Sequence, residues 1–273
     1  MSDVSFGQYY PANSFAHKLD PRLKLLFLIV YIVSIFLCTT FVGLGVCAAV
    51  LLVCVLFSRV PLGKMLKSVK GVLFLLLFTA ILNLFFYSPA EGESPLWAWK
   101  FLEIYWGGLR AAGFLIIRLF LLVMGSSLLT LTTTPVSLTD GIESLLTPLK
   151  WIKVPVHDIA LIMSIALRFI PILTDETSRI MNAQKARGAD FETGGLIKRI
   201  KAIIPILIPL LISAFRRADE LGDAMDARCY AGSTTRTKYK KLRFGWRDLL
   251  AAIFMLALLA AVIVLKVLPL PIL

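Results

Sequence analysis

Long uninterrupted apolar runs constrain this chain more than any other feature of its sequence. Five runs, at about residues 24–41, 42–57, 71–88, 108–131 and 248–268, approach the length needed to cross a hydrocarbon core of roughly 30 Å. Hydrophobic residues make up 58% of the chain and the mean hydropathy is +0.83, well above the usual composition of a soluble domain. The sequence therefore predicts an integral membrane protein with about five transmembrane helices.

The formal net charge of +12 agrees with that assignment. Lys and Arg flank the apolar runs, as the positive-inside rule requires of cytoplasmic loops, so we favour a membrane protein and expect no nucleic-acid partner. Four cysteines occur without a CxxC pair, and three of them lie inside apolar runs. They predict packing residues instead of a disulfide framework or a zinc site.

The chain enters its first apolar run through the segment LDPRLKLL. Asp20 is placed to accept from the free N–H groups of the opening turn, and Pro21 suits the first helical position. Arg22 and Lys24 are expected to anchor the helix at the membrane surface. The connection between the second and third runs, SRVPLGKMLKSVK, is basic and has no acid, which predicts a cytoplasmic loop.

The connection after the third run has the opposite character. It holds three glutamates against one lysine, and its aromatic residues suit a membrane-interface belt: Trp97, Trp99, Tyr105 and Trp106. This connection should lie outside. Five crossings then place the N-terminus in the cytoplasm and the C-terminus outside the cell membrane.

Residues 132–247 contain two further apolar stretches, HDIALIMSIALRFIPIL and AIIPILIPLLISAF, which leave seven crossings open as an alternative. Both are short for a span, and Asp158 and Arg168 interrupt the first. The stretch between them is rich in cations, which the positive-inside rule disfavours outside. We therefore favour two long helices, roughly 156–188 and 196–230, along the cytoplasmic face of the membrane, with bends at their internal prolines.

A shorter amphipathic helix is predicted to begin near Pro135, and the basic segment STTRTKYKKLRF is predicted to be a linker that faces phospholipid headgroups. The fold class is thus an all-α membrane protein with five spans plus a cytoplasmic module of one short and two long helices. We divide the chain into residues 1–131 with the first four spans, 132–232 with the cytoplasmic helices, and 233–273 with the linker and last span.

The sequence lacks the patterns that carry enzyme chemistry. Gly63-Lys64 lacks the other residues of a phosphate-binding loop, and no HExxH, GxSxG or Cys/His metal spacing is present. We expect no catalytic residue, no cofactor and no metal site. Arg118, inside the run FLIIRLFLLV, is a candidate intramembrane polar contact to a partner or to an internal group such as Asn83. Snorkelling, or burial against the protein's own helices, is the alternative.

Two related segments, NAQKARGAD and DAMDARCYAG, end the two long helices. A cation near a helix C-terminus and a glycine at the cap would explain one such segment through helix-end physics alone. Both segments, however, place Ala before Arg and a second Ala three residues earlier. Small residues permit close approach, and arginine offers a planar fork of donors to carboxylates and carbonyls, so we predict paired docking tips. The motif residues are Ala186, Arg187, Gly188, Ala227, Arg228 and Cys229.

With these motifs the chain resembles the transmembrane T component of energy-coupling factor transporters, the EcfT family, which includes the cobalt-transport CbiQ proteins. The resemblance rests on the opening YYPANSFAHKLDPRLKLL, the apolar spans and the two Ala-Arg motifs in order, and it covers nearly the whole chain. It implies a non-catalytic scaffold for uptake of vitamins or other micronutrients, joining two cytoplasmic ABC-type ATPases to a substrate-binding S component. It also implies that the two long helices cross and that Arg187 and Arg228 dock in grooves of the ATPases.

Cys229 departs from the glycine of the family pattern. We expect Arg228 to dock nevertheless, because cysteine is small, but we expect the backbone of this tip to differ from that at Gly188, which would fit two different ATPases. For the S component we predict an apolar platform on the first halves of the long helices, including the stretch Ile203 through Phe215. Lipid or the protein's own spans are the alternative covering. The principal platform residues are Ile159, Ile162, Met163, Ile165, Ala166, Phe169, Ile206 and Leu210.

The alternative function from another class is a self-contained secondary transporter or channel with seven spans. Arg118, Asp158 and Arg168 would then line its pathway, and residues 174–199 would lie outside the cell. A membrane-bound lipid-modifying enzyme is a further alternative, but it needs a catalytic constellation that the sequence does not contain.

Overall fold

The computed structural model describes residues 9–86, 97–99, 102–152, 154–191, 195–230 and 244–267. Most of these residues lie in helices: α1 (Pro21–Leu37), α2 (Phe41–Ser58), α3 (Leu62–Phe85), α4 (Trp106–Thr132), α5 (Pro135–Leu146), α6 (Val156–Ala186), α7 (Leu196–Ala227) and α8 (Trp246–Val267). Short 3-10 segments occupy Ala16–Lys18 and Thr147–Ile152. The predicted helical membrane fold is confirmed, with the addition of two strands of three residues, β1 (Trp97–Trp99) and β2 (Leu102–Ile104).

Five of the described helices are long and apolar enough to cross a membrane, namely α2, α3, α4, α6 and α8. Three of them, α2, α4 and α8, match the predicted runs at 42–57, 108–131 and 248–268 within two residues at each end. The predicted number of spans is therefore confirmed. The set differs in one member, because α6 meets the criteria of length and composition and α1 does not.

α1 is short because the helix ends at Leu37, four residues before the end of the predicted apolar run. The run was expected to continue to residue 41, but the Thr40 hydroxyl accepts from the Gly43 N–H at 3.3 Å and begins α2 instead. The remaining 17 residues of α1 extend about 26 Å, slightly less than a hydrocarbon core of roughly 30 Å. A seven-span protein would need both α6 and α7 to cross the membrane. Among the described helices, α6 is long and apolar enough to do so, and α7 is not in that group.

The basic segment before the third span is helical, so the prediction of a loop from residue 58 to residue 70 is wrong for most of its length. α3 begins at Leu62, directly after Pro61. Lys64, Lys67 and Lys70 are therefore exposed side chains on the first turns of α3. A helix of 24 residues extends about 36 Å, so these turns can project beyond the hydrocarbon core and keep their cations in water.

The aromatic connection between α3 and α4 contains an antiparallel pair of strands, in which Trp97 lies opposite Ile104 and Trp99 opposite Leu102. Trp106 opens α4 with half of its surface exposed, and its ring lies 5.5 Å from the Arg110 guanidinium. Residues 87–96 and 100–101 of this connection lie outside the described residues. The predicted membrane-interface belt stays a prediction.

The chain forms two compact units, one of Met1–Val156 with Leu242–Leu273 and the other of His157–Lys241. In the first unit α1 packs against α2, α4, α5 and α8, and α3 packs along α4. Tyr31 of α1 lies directly against Gly125 of α4, where an added Cβ would come within 2.6 Å of the tyrosine ring. By these contacts α5 belongs with the first unit, whereas the predicted division into membrane and cytoplasmic parts stays a prediction.

The LDPRLKLL segment ties three helices of the first unit together. Asp20 caps α1 as predicted, since its carboxylate accepts from the Arg22 N–H at 2.9 Å, and its own N–H donates to the buried Asp248 of α8 at 2.9 Å. Lys24 donates from Nζ to the carbonyl of Thr132, at the end of α4, at 3.0 Å. A cation is favourable at a helix C-terminus, so Lys24 caps α4; its anchoring at the membrane surface stays a prediction.

The second unit contains α6 and α7, which confirm the two predicted long helices at 156–188 and 196–230. Both helices continue through their internal prolines, Pro171 in α6 and Pro205 and Pro209 in α7; bends there stay a prediction. Arg217 of α7 pairs with Glu176 of α6 at 3.8 Å. Both side chains are about 30% exposed, so this pair contributes little to the stability of the fold.

Candidate docking site

α6 ends in a closed C-terminal cap built around Gly188. The Ala189 N–H donates to the Gln184 carbonyl at 3.0 Å, and the Gly188 N–H donates to the Lys185 carbonyl at 3.0 Å. Gly188 has a φ of +86°, in the left-handed region. This pair of bonds around a left-handed residue is the Schellman motif, and it places Arg187 at the last position before the chain reverses.

α7 ends in the same way. The Tyr230 N–H donates to the Met225 carbonyl at 3.0 Å, and the Cys229 N–H donates to the Asp226 carbonyl at 2.8 Å. Cys229 has a φ of +53°, so it adopts the left-handed conformation that Gly188 adopts at the other tip. Arg228 therefore has the same position relative to its helix as Arg187.

The expectation that the two tips differ in backbone geometry is wrong. A cysteine can occupy the left-handed position, at a cost of roughly 1 kcal/mol, because the two hydrogen bonds of the motif hold it there. Exposure matches as well: the six motif residues, Ala186 to Gly188 and Ala227 to Cys229, are all exposed. Both arginines therefore lie at the end of a helix between small, exposed residues. This arrangement would allow each helix end to insert into a groove.

The two tips differ in charge, a difference that the pattern of Ala and Arg residues alone does not predict. Lys185 precedes the first motif, and Asp226 occupies the equivalent position before the second. Asn182 likewise corresponds to Asp223, and all four side chains are exposed. Aligning the two segments in sequence, with Arg187 opposite Arg228, would reveal this difference in charge. The first tip is therefore basic and the second acidic around a common arginine.

The predicted platform residues are mostly accessible. Ile159, Ile162, Met163 and Ala166 on α6 are exposed, and Ile165, Phe169 and Leu210 are half-buried. Ile206 is only 7% exposed, so its side chain is not part of a free surface, contrary to the prediction. The predicted stretch Ile203 through Phe215 does supply an exposed apolar face of α7, formed by residues at helical spacing: Ile203, Ile204, Leu207, Ile208, Leu211, Ile212 and Phe215.

Arg118 makes an internal contact in the first unit. Its Nη2 donates to the Cys38 carbonyl, at the C-terminal end of α1, at 2.7 Å, and its guanidinium lies 4.6 Å from the Phe114 ring centre. Asn83, one of the predicted alternatives, donates to the Thr79 carbonyl of its own helix. The geometry favours the alternative in which the charge is held by the protein's own helices; a partner contact stays a prediction.

Comparison with known proteins supports the resemblance on which these sites were predicted. A family model described as CbiQ, cobalt transport protein, matches residues 12–239. The chain is 50% identical over 258 residues to the energy-coupling factor transporter transmembrane protein EcfT of Clostridium kluyveri, covering 94% of this chain and 95% of that protein.

Two further EcfT proteins match this chain with similar identity and coverage. That of Ruminiclostridium cellulolyticum is 50% identical over 248 residues, with 91% of each chain covered. That of Streptococcus thermophilus is 45% identical over 258 residues, with 94% of this chain and 97% of the relative covered. Both helix tips lie within the aligned family region. Together with the multi-pass helical fold, these matches show that the chain belongs to the EcfT family of energy-coupling factor transporter transmembrane proteins.

Proposed function

We propose that this chain is the coupling subunit between two cytoplasmic ABC-type ATPases and a membrane-embedded, substrate-binding S component. The ATPases hydrolyse ATP, and the chain itself is not catalytic. Relative movement of the ATPases displaces the two helix tips, and α6 and α7 carry the displacement to the S component, which then reorients to release a vitamin or other micronutrient. The named relatives support the transporter, and the assignment of partners is our proposal.

One observation carries this function: two helices of 31 and 32 residues end in the same exposed cap, with an arginine directly after the last helical residue. A single cap of this kind is explained by helix-end physics. Two caps with the same backbone bonds, the same alanine before the arginine and the same exposed arginine imply two related receptors. A pair of ATPases supplies them, since nucleotide-driven closure requires two similar subunits that move toward each other.

The exposed apolar face of α7, with the apolar half of α6, suits the S component. Seven large apolar side chains of α7 are each about half exposed, which is costly in water and tolerable only against lipid or an apolar protein surface. A membrane partner that slides or tilts on this face loses little energy because the contact is non-directional. We place the N-terminus, α6 and α7 on the cytoplasmic side and the C-terminus outside.

The test is a paired substitution, Arg187→Ala with Arg228→Ala, in cells that express the complete transporter. We expect ATP-dependent uptake to fall by at least about tenfold, since interface arginines are frequent sites of high binding energy. Each single substitution should retain partial uptake. The matched control is Arg179→Ala with Arg216→Ala, which removes one exposed arginine from each of the same helices. Equal uptake by the two double variants, at equal amounts of folded protein, would exclude tip docking through these arginines.

A further inference from the structure

A cationic cavity of about 410 Å³ lies at one end of the first unit. Its lining includes Lys18 from the N-terminal 3-10 segment, Arg59 from the end of α2 and Arg247 from the start of α8, and no carboxylate. All three cations are exposed. None forms an ion pair with any carboxylate in the described part of the chain. Within the described residues, three positive charges therefore line one cavity without a carboxylate partner.

Two apolar cavities adjoin this cationic cavity. One, of about 430 Å³, shares Phe15 and Phe57 with it and is lined by apolar side chains of α1, α2, α4 and α8. Another, of about 620 Å³, shares Leu56 and Arg59 with it. The ammonium of Lys24, at the first apolar cavity, is already occupied by the Thr132 carbonyl. A cationic cavity thus lies next to two apolar cavities and shares lining residues with both.

The position of Arg59 is fixed by its backbone. It has a φ of +54°, in the left-handed region that favours glycine. The adjacent Ser58 is fully buried, donates from Oγ to the Val55 carbonyl at 2.7 Å and accepts from the Val60 N–H at 3.3 Å. The turn therefore fixes the backbone of Arg59, at a position where glycine would be less strained, beside the cavity that its side chain lines.

We infer that these cavities bind one anionic phospholipid, with its phosphate between Lys18, Arg59 and Arg247 and an acyl chain in the apolar cavity beside Phe15 and Phe57. Guanidinium and ammonium groups are the usual ligands of lipid phosphates, and acyl chains fill apolar grooves between transmembrane helices. A free phosphate would leave the apolar cavities unused. A zwitterionic lipid would leave the excess positive charge unmatched. The inference depends on the membrane location of the first unit and not on the proposed coupling to ATPases.

The experiment uses native mass spectrometry of the full chain, freed of lipid in detergent and titrated with phosphatidylglycerol or phosphatidylcholine of the same acyl composition. The test variant is Arg59→Gln with Arg247→Gln. The matched control is Lys67→Gln with Lys70→Gln, which removes two exposed cations from α3 outside the cavity lining. Arg59→Lys with Arg247→Lys keeps the charge and checks that the fold tolerates change at these positions.

We expect the wild-type chain to bind one phosphatidylglycerol at least about tenfold more tightly than phosphatidylcholine, and the Gln variant to lose that preference. The α3 control and the Lys variant should keep it. Ala251→Leu, which fills the apolar cavity, should weaken phosphatidylglycerol without changing any charge. Equal binding of both lipids, retention of the preference in the Gln variant, or competition by inorganic phosphate alone would overturn the inference.

Discussion

Cys229 has the same backbone position at the end of α7 that Gly188 has at the end of α6. Each is left-handed, and each donates its N–H to the carbonyl three residues earlier, at 2.8 Å for Cys229 and 3.0 Å for Gly188. The two tips are therefore alike in backbone and unlike in side chain. Differences in what they bind must come from side-chain chemistry, above all from charge.

Cys229→Gly should stabilise the second tip. Glycine removes the clash that costs a side-chain-bearing residue roughly 1 kcal/mol in the left-handed conformation, so local opening of the last turn should become about fivefold rarer. Hydrogen exchange of the Tyr230 amide, which closes the cap, measures this opening. Gly188→Ala is the opposite change at the equivalent position and should accelerate exchange of the Ala189 amide. Unchanged exchange in both variants would contradict the shared cap geometry.

Exchanging the charges next to the tips should disturb docking while leaving net charge unchanged. In the variant Lys185→Asp with Asp226→Lys, each tip presents the opposite charge to the ATPase groove that it enters. Repulsion between like charges opposes association, and it does so more strongly at low salt. We expect retention of the ATPases during purification to fall at low salt and to recover partly at high salt. Arg179→Glu with Glu220→Arg exchanges two exposed charges on the same helices and should have little effect. If both variants retain the ATPases equally, charge does not distinguish the two grooves.

Arg118→Leu should destabilise the first unit, because the Cys38 carbonyl at the end of α1 loses its charged donor. Leaving a buried acceptor unsatisfied costs about 1–3 kcal/mol, which thermal unfolding in detergent can resolve. Arg110→Leu removes an exposed arginine from the same helix and serves as the control. If Arg118→Leu unfolds like the wild-type chain but abolishes uptake, the residue contacts a partner and the internal bond is dispensable.

Gly125→Ala should weaken the packing of α1 on α4. The added methyl would meet the Tyr31 ring at 2.6 Å, which forces the helices apart at a cost of about 1–3 kcal/mol. Gly113→Ala on the same helix meets nothing within 4 Å and should be neutral or slightly stabilising. Tyr31→Ala should remove most of the difference between the two glycine variants, and additivity of the changes would contradict the contact.

Hydropathy predicts α4 and α8 well because each is an apolar run with polar residues at its ends. It fails at α3, where Lys64, Lys67 and Lys70 suggest a loop although all three lie in the first turns of the helix. It also cannot separate α1 from α6. A short apolar helix and a long half-apolar helix have similar local composition, and the short length of α1 depends on the side-chain cap at Thr40 that begins α2.

The two matching helix ends are predictable from two repeated segments, because spacing and residue size are read directly from the sequence; docking at them stays a prediction. The left-handed Cys229 was not, since residue preferences alone assign that conformation to glycine. The pairing of Lys24 with the Thr132 carbonyl was also missed, because the two residues are far apart in the chain and meet only through the packing of α1 on α4. Long-range caps of this kind have no local signature.

Labelling of Cys229 by a membrane-impermeant thiol reagent tests the coupling account most directly. This cysteine is exposed, whereas Cys38 and Cys47 are buried and Cys54 is half-buried, so the native chain carries its own reporter at the second tip. We predict that Cys229 is labelled in inverted vesicles, is not labelled in intact cells, and is protected when both ATPases are assembled. Labelling in intact cells, or equal labelling with and without the ATPases, would contradict the account.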